Sequence, residues 1–264
     1  MIPKNTSLGV PPVDLLLYKL ITTPIVMALA TWISRRLGVG VGGWIAGLPV
    51  TSGPVSIFLA LQHSPQFAAD AALGTMSGSA SASVFCVIYA FVARRARWPA
   101  ALGMGLLGFL GMTLVWKQLT LPVLPLYLLI LAVILLALRI TPRPQAAQAV
   151  VIAPAWDIPL RVVLATAFVL ALTGASDVLG ATWSGLISPI PLYASLMVTF
   201  AHAQHGADGA LRVLRGVLLG TFAFASFFLV VGATVTVWPL WLVYTLASLT
   251  AMVINGAMFN LARR

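Results

Sequence analysis

The stretch LPVLPLYLLILAVILLAL, Leu121 to Leu138, runs eighteen residues without a charge and is closed by Arg139. A helix needs about 20 apolar residues to cross a bilayer core, whereas a helix on a soluble domain keeps a polar face. This stretch has no polar face, so its surroundings are lipid or other apolar helices. Worked outward in both directions, the same test divides the chain at charged or proline-rich points into nine runs: 13–34, 43–61, 68–93, 98–116, 121–138, 158–179, 183–203, 211–235 and 239–261. The expected fold class is all-α, a polytopic membrane protein of about nine transmembrane helices. Glycine and proline inside several runs are compatible with this, because neighbouring helices re-satisfy the freed backbone groups. Membrane strands would alternate over short segments, and nothing here alternates for long.

Composition agrees. Of 264 residues, 61% are hydrophobic and 8% charged, where a soluble domain carries roughly 25% charged residues. Mean hydropathy is +1.04. A soluble enzyme, a nucleic-acid binder and a secreted disulfide scaffold are excluded together, and Cys86 stands alone, so no internal disulfide forms. The net charge of +10 comes from basic residues placed between apolar runs, where orientation in a membrane accounts for them.

With the N-terminus outside, Arg35, Arg36, Arg94, Arg95, Arg97, Arg139, Arg143, Arg161, Arg212, Arg215, Arg263 and Arg264 fall at cytoplasmic ends, and only Lys4, Lys19 and Lys117 do not. Twelve against three is a strong bias, and it needs all nine spans. The expected topology is N-out and C-in. Trp32, Trp44, Trp98, Trp116, Trp156, Trp183, Trp238 and Trp241 lie near span ends, as interfacial anchors do. The first run contains Lys19 and ends at Arg35-Arg36, which argues against a cleaved signal peptide. Thr141 to Ala155, with Pro142, Pro144 and Pro154, reads as a cytoplasmic linker.

The chain also resembles itself. GWIAGLPVTSGPVSIFLALQHSPQFAADAALG, from Gly43, aligns with TWSGLISPIPLYASLMVTFAHAQHGADGALR, from Thr182: Trp44 meets Trp183, Gly47-Leu48 meets Gly185-Leu186, Pro54 meets Pro191, Asp70 meets Asp208 and Gly78 meets Gly216. Upstream, Asp14 and Lys19 answer Asp157 and Arg161, and downstream Trp98-Pro99 answers Trp238-Pro239. The expected organisation is a first four-helix unit over 1–118, a connecting helix and linker over 119–156, and a second four-helix unit over 157–264. Four spans alone would leave the units parallel; the fifth inverts the second, giving a four-one-four inverted repeat. Such repeats are a signature of secondary transporters, since exchanging the conformations of the two halves converts an outward-open site into an inward-open one.

A basic residue early in the first helix, the Ala46 to Pro54 segment and the Asp70-Ala71-Ala72-Leu73 start of the third helix together resemble the GlpM family of small four-helix bacterial inner-membrane proteins. The second unit, with GLISPIP from Gly185 and Asp208-Gly209-Ala210-Leu211-Arg212, resembles them more closely. The resemblance covers most of the chain, as a duplicated member with an extra span, and implies an inner-membrane location. The plan is also similar to the drug/metabolite transporter group, although the glutamate that its small members place in the first helix has no counterpart, because the chain contains no glutamate.

Spans two and seven are interrupted by Gly47, Pro49, Gly53 and Pro54, and by Gly185, Pro189 and Pro191. Proline removes a donor and clashes with the preceding turn, so each helix should break, exposing a half-helix N-terminus beside Thr51, Ser52 and Ser188. Half-helix N-termini receive anionic groups in transporters, and Lys19 and Arg161 add positive charge inside spans one and six. The expected substrate site comprises these segments with Lys19 and Arg161, and its cavity should be lined by spans one, two, six and seven. Asp70 and Asp208, in the first turns of spans three and eight, are dipole-stabilised carboxylates and the candidates for proton coupling. His63, His202 and His205 fall on opposite membrane sides, so no metal site is expected. No catalytic or cofactor-binding motif occurs. The reading is a non-enzymatic, transporter-like protein for a small or lipid-linked anionic substrate. Its partners are the bilayer and a second copy of itself, and nucleic acid is not among them. The alternative is an accessory or scaffold component of envelope lipid or polysaccharide assembly.

Overall fold

The computed structural model describes residues 17–25, 28, 29, 32, 48–145 and 156–263. Gly47, Asp14, Trp44 and the 146–155 part of the linker lie outside them, as does the side chain of Asp157. Every regular element among the described residues is helical. A helical stretch at 17–25 is followed by α1 (Ser52–Gln62), α2 (Pro65–Ala93), α3 (Trp98–Trp116), α4 (Val123–Ile140), α5 (Asp157–Gly174), α6 (Ser176–Ile187), α7 (Leu192–Thr234) and α8 (Leu240–Arg263). Five of these, α2, α3, α4, α7 and α8, are long and apolar enough to cross a membrane.

The packing is inside-out by the standards of a soluble protein. Ser77, Ser79, Ser81 and Ser83 on α2 are buried, whereas Leu107, Leu110 and Leu114 on α3 and Leu124, Leu128 and Leu136 on α4 are exposed. Water would penalise that outer surface at about 25 cal/mol per Å2, and a bilayer removes the penalty. Most of the buried hydroxyls are satisfied within the helix: Thr75 donates to the Ala71 carbonyl (2.8 Å), Ser77 to Leu73 (3.1 Å), Ser79 to Met76 (2.6 Å) and Ser83 to Ser79 (3.0 Å), whereas the Ser81 hydroxyl has no partner among the described residues. A face of small side chains results, on which other helices approach closely.

The centre of the molecule is α2 against α7. α3 packs on α2, α8 packs on α7, and α4 lies against both α2 and α7. Arg215 on α7 ties down the end of α4, its Nη1 donating to the Leu138 carbonyl (3.0 Å) and the Thr141 carbonyl (2.8 Å). Those are carbonyls that a helix C-terminus leaves without partners.

Several boundaries differ from expectation. α2 starts at Pro65 rather than 68, capped by Ser64, whose hydroxyl accepts from the Phe67 N–H (3.2 Å). The sixth helix ends at Gly174 rather than 179, and α6 bends again at Gly180 (φ 72°). The loop expected at 204–210 shrinks to a break at His205 and Gly206, where Gly206 takes φ 60°, ψ −156°. Only glycine adopts that conformation readily.

Candidate functional site

Two non-helical segments, one leading into α1 and one joining α6 to α7, share a local hydrogen-bond pattern. Before α1, the Val50 N–H donates to the Leu48 carbonyl (2.7 Å) around Pro49, and the Gly53 N–H then bonds the Pro49 carbonyl (2.8 Å). Between α6 and α7, the Leu192 N–H donates to the Ile190 carbonyl (2.7 Å) around Pro191, and Ser195 N–H bonds the Pro191 carbonyl (2.7 Å). Pro191 has φ −79°, ψ 52°, an inverse γ-turn. The local hydrogen bonding around Pro191 is matched around Pro49 and not around Pro54. Pro54 is the third residue of α1, in the first turn, where a missing N–H costs nothing. In sequence, GLP in the first segment stands where GLISPIP stands in the second.

The two breaks meet. The Ser52 hydroxyl, at the start of α1, donates to the Ser188 carbonyl (2.8 Å), and both residues are buried. Beside this bond lies a cavity of about 50 Å3, lined by Thr51, Ser52, Pro191 and Tyr193 with Ser79 of α2 and Thr221 of α7. A water's share of liquid volume is about 30 Å3, so this space holds a water or two and nothing larger. Around the second break, the hydroxyls of Ser184, Ser188 and Ser195 are buried without a hydrogen-bond partner among the described residues.

Glycines bring the second segment this close. A Cβ on Gly74 would lie 2.7 Å from the Thr182 carbonyl oxygen, one on Gly78 would lie 2.7 Å from Pro189 Cγ, and one on Gly185 would fall on the Ala71 carbonyl. α6 and Pro189 therefore sit directly on the α2 backbone.

Arg161 and Lys19 are both buried, 4% and 5% exposed, and both face aromatic rings. The Arg161 guanidinium lies 4.5 Å from the centre of the Tyr193 ring, which itself lines the cavity. Lys19 Nζ lies 5.5 Å from the centre of the Phe58 ring on α1 and does not reach the cavity. The cavity walls come from the residues around the start of α1, from α2, from the segment between α6 and α7, and from α7; the helical stretch at 17–25 and α5, expected to line it, contribute no described residue. The packing of α2 against α7 narrows the space between the two segments. Asp70 is exposed in the second turn of α2, accepting from the Gln66 side-chain amide (3.0 Å), because the helix starts earlier than expected. Asp208 follows the Gly206 break and accepts from the Gln145 N–H (3.2 Å). Neither carboxylate lines the cavity.

His63 bonds the Ser176 hydroxyl (2.8 Å) at one end of the molecule, and His202 bonds the Tyr89 hydroxyl (3.3 Å) toward the other. Among the described residues no group of three metal-ligating side chains forms. Ser79, Tyr193 and Thr221 were missed as site residues: the Ser77 to Ser83 run reads as a packing face, and Tyr193 and Thr221 carry no signal within apolar runs. No protein-family model, curated protein or solved structure matches the chain.

Proposed function

We propose that the chain is a bacterial inner-membrane transporter, N-out and C-in, that moves a small or lipid-linked anionic substrate by alternating movement of two inverted four-helix units. The observation that carries this is the meeting of two proline-centred non-helical segments at one small cavity. Segments that break inside a membrane protein leave backbone groups and hydroxyls for a ligand, and they hinge more readily than continuous helices. The unpartnered hydroxyls of Ser184, Ser188 and Ser195 are groups that a substrate or water would satisfy. Arg161 places positive charge against the ring of Tyr193, which lines the cavity. The placing of α4 against both α2 and α7 fits an inserted helix between repeated units. In this reading the structure is a state without room for substrate, because the cavity holds only about 50 Å3.

The accessory or scaffold reading is favoured by one observation, the small volume of the same cavity. Accessibility separates the two. In a Cys86→Ser background, cysteine at Thr51 or Ala194 should react with impermeant thiol reagents from both sides of the membrane if the cavity opens alternately. Protection from both sides, in folded protein, would leave the scaffold reading standing.

A further inference from the structure

At the end of the bundle away from His63, where Arg95, Arg97 and the His205–Gly206 break come together, lies an open groove of about 610 Å3. It is distinct from the central cavity and shares no residue with it. Its walls include Arg95, Arg97, Trp98 and His202, with Gly206 and Ala207 from the break, and among the described residues no acidic one lines it. His202 is 8% exposed and is held by the Tyr89 hydroxyl at 3.3 Å, so its ring is a fixed part of the wall. Trp98 is partly exposed at the mouth, on the first turn of α3, whose outer face is apolar.

Two arginines, a positioned imidazole and an interfacial indole around one groove suit a phosphate group. Guanidinium forks pair with phosphate oxygens through parallel hydrogen bonds. A basic pocket between membrane helices at the arginine-rich face is where acidic phospholipid headgroups bind. Asp208, the nearest carboxylate in sequence to the break, is engaged with the Gln145 N–H outside the groove lining. The groove is large enough for a glycerophosphate headgroup, which the central cavity is not.

We infer that this groove binds a phosphate-bearing ligand, with Arg95 and Arg97 as its anion contacts and His202 and Trp98 shaping the pocket. The inference does not depend on transport. The phosphate belongs to an anionic phospholipid or to a soluble phosphate, and the test separates these sources.

Full-length protein in neutral detergent would be titrated with phosphatidylglycerol, cardiolipin and phosphatidylcholine and followed by native mass spectrometry, with orthophosphate titrated in a parallel arm. Each basic residue at an anionic headgroup contributes on the order of 1 kcal/mol, so the Arg95→Gln/Arg97→Gln double variant should bind anionic lipid about tenfold or more weakly. Ala203→Trp, which fills the groove without changing charge, should weaken it comparably. Arg139→Gln removes an exposed arginine at the same end but outside the groove and should bind as wild type. If orthophosphate shows this variant pattern and the lipids do not, the phosphate site stands and its ligand is soluble. Equal binding by wild type and the double variant, or equal loss in Arg139→Gln, would overturn the proposal.

Discussion

At Gly185 a side chain has no room: a Cβ there would fall on the Ala71 carbonyl oxygen and 2.9 Å from Gly74 Cα. Both obstacles are backbone, which cannot rotate away, so Gly185→Ala must push α6 off α2. We expect a loss of about 2 kcal/mol or more of stability, read as a lower melting temperature in detergent. Gly111→Ala, where nothing lies within 4 Å, is the control and should be no less stable than wild type. Arg161 and Lys19 differ at the same scale. Only Arg161 touches a cavity-lining ring, so Arg161→Gln should impair anion uptake into proteoliposomes, screened with phosphate, sulfate and small carboxylates, more than Lys19→Gln does. Lys19→Arg, which keeps the charge, should be milder than Lys19→Gln. Normal uptake by both Gln variants would remove the anion role.

Among the elements, the two broken segments and α4 carry the argument. The Ser52 hydroxyl is a hydrogen-bond partner of the Ser188 carbonyl across 136 residues of sequence. Ser52→Ala leaves that buried carbonyl without this donor, and the cost should be about 1–3 kcal/mol of thermal stability. A variant as stable as wild type would mean that the segments are held together by packing alone. Arg215 bonds two carbonyls at the end of α4, where the helix dipole also favours a cation. Arg215→Ala should therefore cost about 2 kcal/mol, visible as earlier proteolysis after Ile140 when the protein is titrated with denaturant.

For the molecule as a whole, topology is the claim most open to test. With Cys86 buried and replaced by serine, single cysteines at Gln66 and Trp241, both exposed, should react with a periplasmic thiol reagent. Cysteines at Ala96 and Gln204 should not. Labelling at Gln204 but not at Trp241 would reverse the second unit and remove the inverted repeat. Much of this scale was legible beforehand. Charge-free runs such as Leu121 to Leu138 demand a lipid-like environment whatever they pack against, and prolines in apolar runs demand breaks, because both are properties of a few adjacent residues. The breaks at Leu48–Thr51 and Ser188–Pro191 were therefore expected in kind.

What the linear chain left open is everything that depends on which helix lies beside which. Pro54 and Pro49 look alike as helix breakers, and only the hydrogen bonding around Pro49 shows which of them resembles Pro191 locally. Ser79 of α2 and Thr221 of α7 reach the cavity because α2 and α7 pack at the centre, and neither carries a sequence signal. The sequence by itself determined the lipid-like surroundings, the helical class and the non-helical segment at Ser188–Pro191, since local hydrophobicity and backbone chemistry decide those. Tertiary structure alone decided that this segment meets the start of α1, that Arg161 and not Lys19 lies against a cavity-lining ring, and that a basic groove opens beside His202. The reason is that contacts between distant residues follow from side-chain packing in three dimensions, which no local pattern encodes.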